Sequence, residues 1–193
     1  MTPPRSTREH IMHSALRVIG EHGIGGLTNR RVAKEAGISL GSLTYHFASQ
    51  RDLLRESLLL FVEDEARRIT AIADSLAESV RGLAEAAAAA EAALTQMAMG
   101  PEELGVYEVY LHSARDPELH EAALRCFAAY DRVATTTLTL LGVTEPERVA
   151  RHVVALVTGS QLRRLATGAD DAAGIAEGLI MLLAGTDWST STG

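Results

Sequence analysis

Thr28-Asn-Arg-Arg-Val32-Ala33-Lys-Glu-Ala36-Gly37-Ile38-Ser39-Leu40-Gly-Ser-Leu43-Thr-Tyr45-His-Phe47 is the stretch from which the rest of the chain can be read. Thr28 offers a side-chain oxygen to the unpaired N–H groups at the start of a short helix. Val32, Ala33 and Ala36 give that helix one apolar face. Gly37 stands where a helix closes on a left-handed residue, and Ile38 is the apolar residue that accompanies such an ending. Ser39 then caps a second short helix that ends near Phe47. Two short helices joined by a tight turn form a helix-turn-helix.

Working outward, a helix is predicted to start at Ser6 or Thr7, with Glu9 in its first turn and Ile11, Ala15, Leu16 and Ile19 on one face. It stops at His22-Gly23, and Gly23 to Gly26 form a loop. Downstream, Ser49 caps a helix whose apolar face is Leu53, Leu54, Leu58 and Phe61, running to about residue 73. Further helices are expected at about 79–97, 102–114, 117–141, 146–166 and 171–184. Gly100-Pro101, Asp116-Pro117, Gly142 and Thr144-Glu-Pro146 mark their breaks and starts. The Thr- and Ser-rich residues 186–193 are expected to be a disordered tail.

Composition agrees with an all-α chain. Of 193 residues, 47% are hydrophobic but only 4% aromatic, so the core must be built from Leu, Ala, Val and Ile rather than strand-favouring aromatics. No strand pattern or internal repeat is visible. The one cysteine, Cys126, permits neither an intramolecular disulfide nor a cysteine metal site. No signal-peptide pattern and no membrane-length apolar run is present, so a cytoplasmic protein without a membrane partner is expected.

The net charge of −7 is unevenly spread. Residues 1–55 carry eight Lys and Arg against four acids, whereas the remainder carries the acidic excess. A basic N-terminal head on an acidic body suits a protein whose head alone meets phosphate, although chance asymmetry reads the same way.

Residues 8–55 resemble the DNA-binding domain of the tetracycline-repressor (TetR) family. The resemblance rests on the Gly-x-x-x-Leu27-Thr28 opening, the Val-Ala-x-x-Ala-Gly37-Ile-Ser39 turn, the Leu43-x-Tyr45-His46-Phe47 exit, and Ser49-x-x-x-Leu53-Leu54. It implies an N-terminal three-helix head (residues 1–48) followed by a helical ligand-binding and dimerisation domain (residues 49–185). It also implies a transcription regulator, a repressor by family habit. Such a regulator binds an inverted-repeat operator in double-stranded DNA as a homodimer and is released by a small-molecule effector. No cofactor or metal is implied.

By the same resemblance, Thr28, Asn29, Ser42, Tyr45, His46 and Gln50 fall on phosphate-contacting positions. Arg30, Leu40, Gly41 and Thr44 fall on base-reading ones. The small and hydroxyl side chains of the third helix suit close entry into the major groove. Two positions depart from the family pattern: Thr44 stands where Tyr is common, and Gln50 where Lys is common. Arg51 is the neighbour able to restore the missing charge. Leu40 reads equally as a base contact or a lid on the core, and His46 as a phosphate contact or a satisfied polar tip.

The last two helices carry the stripes Val149, Val153, Leu156, Val157 and Ile175, Leu179, Leu182, Leu183. The resemblance packs these against their copies in a partner subunit, and the alternative buries them within one. Met97, Met99, Tyr107, Tyr110, Phe127, Tyr130 and Gln161 are pocket candidates, although such residues are more often ordinary core. Glu108 and His112, four apart, read as a ligand pair or as a surface pair. No phosphate loop, nucleophile motif or metal spacing supports an enzyme. The rival reading is a helical interaction protein that has lost sequence-specific DNA binding, which the departure at Gln50 would suit.

Overall fold

The computed structural model describes residues 6–77, 85, 100–169 and 172–184, and every regular element among them but one short 3₁₀ turn is an α-helix. The helix expected at about 79–97 and the tail at 186–193 lie outside the described residues. The elements are α1 (Thr7–His22), the 3₁₀ turn (Ile24–Gly26), α2 (Asn29–Glu35), α3 (Leu40–His46), α4 (Gln50–Ala77), α5 (Pro101–Ser113), α6 (Pro117–Leu140), α7 (Pro146–Thr167) and α8 (Ala172–Ala184).

The caps explain the boundaries. Ser6 Oγ accepts from the Glu9 N–H (3.2 Å) while the Ser6 N–H donates to Glu9 Oε2 (2.7 Å), a reciprocal capping box. Thr28 Oγ1 accepts from the Arg31 N–H, Ser39 Oγ from the Ser42 N–H, and Ser49 Oγ from the Asp52 N–H. The turn between α2 and α3 closes as its sequence requires. Gly37 takes φ 64°, the Ile38 N–H donates to Ala33 O (2.9 Å), and the Gly37 N–H donates to Lys34 O (3.1 Å). At α7 the cap is Glu145 in a left-handed conformation (φ 52°), its carboxylate held on Arg148, while Pro146 opens the helix.

The described residues divide into two compact units, and α4 and α6 run from one to the other. Those within 1–64 and 99–127 form the first, and those within 65–98 and 128–193 the second. Residues on both sides of the expected boundary at 48–49 fall in the first unit, and Ser49 caps the start of α4.

The first unit buries Ile11, Leu16 and Ile19 of α1, Val32 of α2, Leu43 of α3, and Leu53, Leu58 and Val62 of α4. Its closest contact is between α1 and α5. A Cβ on Gly20 would overlap the Pro101 carbonyl, and one on Gly105 would overlap the Leu16 carbonyl. A helix-interior glycine costs about 1 kcal/mol of propensity relative to alanine. Here two glycines let the helix backbones touch.

Polar groups fix the register of that crossing. Glu102 of α5 lies between His13 Nδ1 (2.9 Å) and Arg17 Nη1 (2.5 Å), and Arg17 Nε reaches on to Glu35 of α2 (2.8 Å). His13 Nε2 lies 3.2 Å from Asp64 of α4, out of line for a hydrogen bond. Burial pushes the Glu102 carboxyl up, but the hydrogen bonds from His13 and Arg17 outweigh it and hold it below the usual carboxylate range. Glu108 accepts the Ile24 N–H (2.7 Å), so it anchors α5 to the 3₁₀ turn.

In the second unit, Leu138, Val143, Val149, Ala150 and Leu183 form a core onto which Val153 and Leu182 pack. Val157 and Leu179 pack on Ile175, and Gly178 lies against Leu156. The two apolar stripes of α7 and α8 thus face each other within one chain, leaving Leu162 and Met181 exposed.

Gly105→Ala is expected to destabilise the protein by about 1–3 kcal/mol through overpacking. A denaturant midpoint unchanged from the parent would show that the α1–α5 crossing is looser than described.

Candidate nucleic-acid interface

The third helix is sharply two-sided. Leu43 and Phe47 are buried, whereas Leu40, Gly41, Thr44 and Tyr45 are exposed, Tyr45 at 86%. Leu40 therefore does not lie in the core. Tyr45 packs edge-on to the half-buried His46 ring (5.3 Å between centroids), which steadies an otherwise free phenol. Phe47 is covered by the Arg8 guanidinium, 4.6 Å from its ring centre.

The remaining predicted positions differ in exposure. Thr28, Arg30 and Gln50 are exposed, and Asn29 and Ser42 are half-buried. The Thr28 oxygen is occupied by capping, but its hydroxyl hydrogen remains able to donate to a phosphate. Thr44 donates its hydroxyl to Leu40 O (3.2 Å) and Gly41 O (3.1 Å) of its own helix. It thus offers DNA a methyl group and an oxygen lone pair rather than a donor. Gln50 Nε2 donates to Leu27 O (3.4 Å), joining the start of α4 to the start of α2.

The cations of the head are less free than their number suggests. Arg8 pairs with Glu56, Arg55 with Asp52 and Glu56, and Arg17 with Glu35 and Glu102. Arg31 donates to Gly26 O. Arg30 and Lys34 carry no ion pair or side-chain hydrogen bond among the described residues, and both are exposed on α2. Arg51 pairs with Asp116 and Glu118, so its charge is engaged by two carboxylates in the unbound protein. Sequence reading counts these charges but cannot match them, because their partners lie up to 85 residues away.

Of the pocket candidates, three aromatics come together in the first unit. Tyr107 and Tyr110 of α5 meet edge-on at 6.3 Å, and Phe127 of α6 lies 5.1 Å from Tyr110. Burial pushes the Tyr107 phenol up to about 12, and pushes the buried Cys126 thiol up to about 12, so neither is an ionised nucleophile. Gln161 is half-buried on α7 of the second unit, and Met97 lies outside the described residues. Glu108, which with His112 reads as a ligand pair or a surface pair, accepts the Ile24 N–H.

An exposed recognition helix on a three-helix head, joined to further helices, defines a helix-turn-helix DNA-binding regulator. A family model described as bacterial regulatory proteins of the tetR family matches residues 11–57, and one described as tetracyclin repressor-like C-terminal domain matches residues 67–185. The chain belongs to the TetR family of transcription regulators, and it is not an enzyme.

Among its relatives, the HTH-type transcriptional regulator PksA of Bacillus subtilis is 42% identical over 66 residues, 34% of this chain and 32% of that protein. The HTH-type transcriptional repressor AcnR of Corynebacterium glutamicum is 35% identical over 83 residues, 42% of this chain and 43% of that protein. These matches span less than half of either relative. Solved structures cover more. The multidrug binding protein EbrR in complex with imidazole is 30% identical with a TM-score of 0.68, covering 98% of this chain and 100% of that one. A TetR-family member from Streptomyces coelicolor A3 is 30% identical with a TM-score of 0.71, covering 93% and 99%. EbrR has also been solved with ethidium, proflavin and malachite green. No helix among the described residues is long and apolar enough to cross a membrane.

Tyr45→Ala is expected to weaken operator binding by about 1.5–3 kcal/mol, the range for a hydrogen bond to a charged group. Its thermal midpoint should match the parent because the side chain is exposed. A fall in thermal midpoint would show that Tyr45 supports the fold instead.

Proposed function

We propose that this protein is a repressor that binds an inverted-repeat operator as a homodimer and releases it when a small molecule enters the helical domain of residues 49–185. The observation that carries the reading is the division of α3 into a buried Leu43–Phe47 edge and an exposed face with Tyr45 at its centre. Dimerisation supplies two such faces, which must lie about 34–36 Å apart to enter successive major grooves. Leu162 of α7 and Met181 of α8 are exposed apolar side chains that a partner subunit could cover.

For the effector we propose planar aromatic cations. The EbrR complexes with ethidium, proflavin and malachite green support this class, as does the Tyr107–Tyr110–Phe127 cluster, whose ring faces attract a delocalised cation.

Selection from random duplex DNA at ~0.15 M salt is expected to enrich an inverted repeat, since specific binding exceeds non-specific binding by about 10³-fold or more. Weak binding without enrichment, fading as salt rises, would refute the sequence-specific reading. Malachite green binding to the DNA-free protein, followed by calorimetry, tests the effector class. Tyr110→Ala is expected to weaken it by about 0.5–2 kcal/mol. Equal affinity in the parent and the variant would remove the aromatic cluster from the site.

A further inference from the structure

Arg51 is the second residue of α4, four residues beyond Phe47 at the end of the recognition helix. Its neighbour Gln50 reaches Leu27 O, next to the Thr28 cap of α2, so the start of α4 borders the DNA-facing side of the head. The Arg51 side chain is 56% exposed. Its Nε lies 3.0 Å from Asp116 Oδ2, and its Nη1 lies 3.7 Å from Glu118 Oε1.

The partners differ in how firmly they are held. Asp116 is half-buried, and its Oδ1 accepts the N–H groups of Glu118 (3.1 Å) and Leu119 (3.4 Å), capping α6. Asp116 is therefore fixed by its own helix whether or not Arg51 is present. Glu118 is as exposed as Arg51 and contributes a long contact. What holds Arg51 is a surface ion pair, worth about 0–1 kcal/mol. A DNA phosphate offers the same guanidinium a bidentate acceptor and releases condensed counterions on binding.

We propose that Arg51 is a DNA-phosphate contact held back by Asp116 and Glu118, so that the acidic start of α6 lowers the affinity of the unbound protein for DNA. Arg51 then supplies the charge that Gln50 lacks, and it does so only after leaving its two carboxylates. The proposal rests on DNA binding by the head and is independent of the effector. Asp116 and Glu118 act through Arg51 and are positioning residues, not contacts.

The test is fluorescence anisotropy over a range of salt, with the duplex recovered by selection and a random-sequence duplex of equal length. Arg51→Gln is expected to lower affinity for both duplexes by about 3–10-fold and to reduce the slope of log K against log salt by about 1. Asp116→Asn combined with Glu118→Gln is expected to raise affinity several-fold, and that gain should vanish when Arg51→Gln is added. The asparagine retains the oxygen that caps α6, and thermal midpoints check folding. Arg51→Lys, which keeps the charge, should keep the parent's salt slope. An unchanged affinity and slope in Arg51→Gln would overturn the proposal. So would a gain from the acid substitutions that persists without Arg51, since that would be the general field of two lost charges. Absence of all DNA binding by the parent is a separate outcome, and it would overturn the DNA-binding reading itself together with this one.

Discussion

The close crossing of α1 and α5 is the constraint on which the first unit depends. Gly20 and Gly105 let two helix backbones meet where any side chain would hold them apart. Once they meet, Glu102 is brought between His13 and Arg17, and Glu108 onto the Ile24 amide. Arg17 extends the same linkage to Glu35 at the end of α2. The recognition motif is thus tied to a helix distant in sequence by a glycine contact and a short chain of charge-assisted hydrogen bonds. Such bonds are among the stronger polar interactions when partly desolvated. Whatever displaces α5 strains groups that also hold α2.

Charge in this protein is allocated rather than merely abundant. The basic head suggests a broad attraction to phosphate. Yet Arg8, Arg17 and Arg55 are matched to carboxylates, and Arg31 to a carbonyl. Arg30 and Lys34 remain available on α2, and Arg51 is retained by two acids beside the DNA-facing side. A regulator that held every cation free would bind any duplex tightly and gain little from a cognate sequence, because phosphate contacts carry no sequence information. Pairing several of them with carboxylates within the fold reduces that sequence-independent attraction.

Much of the local structure is legible in the sequence because it is set by neighbours a few residues apart. Ser6 with Glu9, Thr28, Ser39 and Ser49 mark helix starts by supplying oxygens to unpaired amides. Gly37 and Ile38 specify the turn of the motif through a single left-handed residue. The burial of Leu43 and Phe47 follows from their spacing of four. The α7 cap is less legible: Thr144 is the better capping residue, but the left-handed Glu145 before Pro146 takes the position. Glu108 and His112 look like a pair from their spacing, whereas Glu108 is committed to a loop amide 84 residues earlier in the chain.

The sequence by itself determined the all-helical class and the motif, since each depends on periodicity, capping or turn chemistry within a few residues. Only the tertiary structure decided which charges are spent, which aromatics meet, and why glycines sit inside two helices. Those outcomes depend on contacts between residues tens of positions apart. Local propensity is blind to them, and a carboxylate or a glycine shows its role only when the opposing helix is in place.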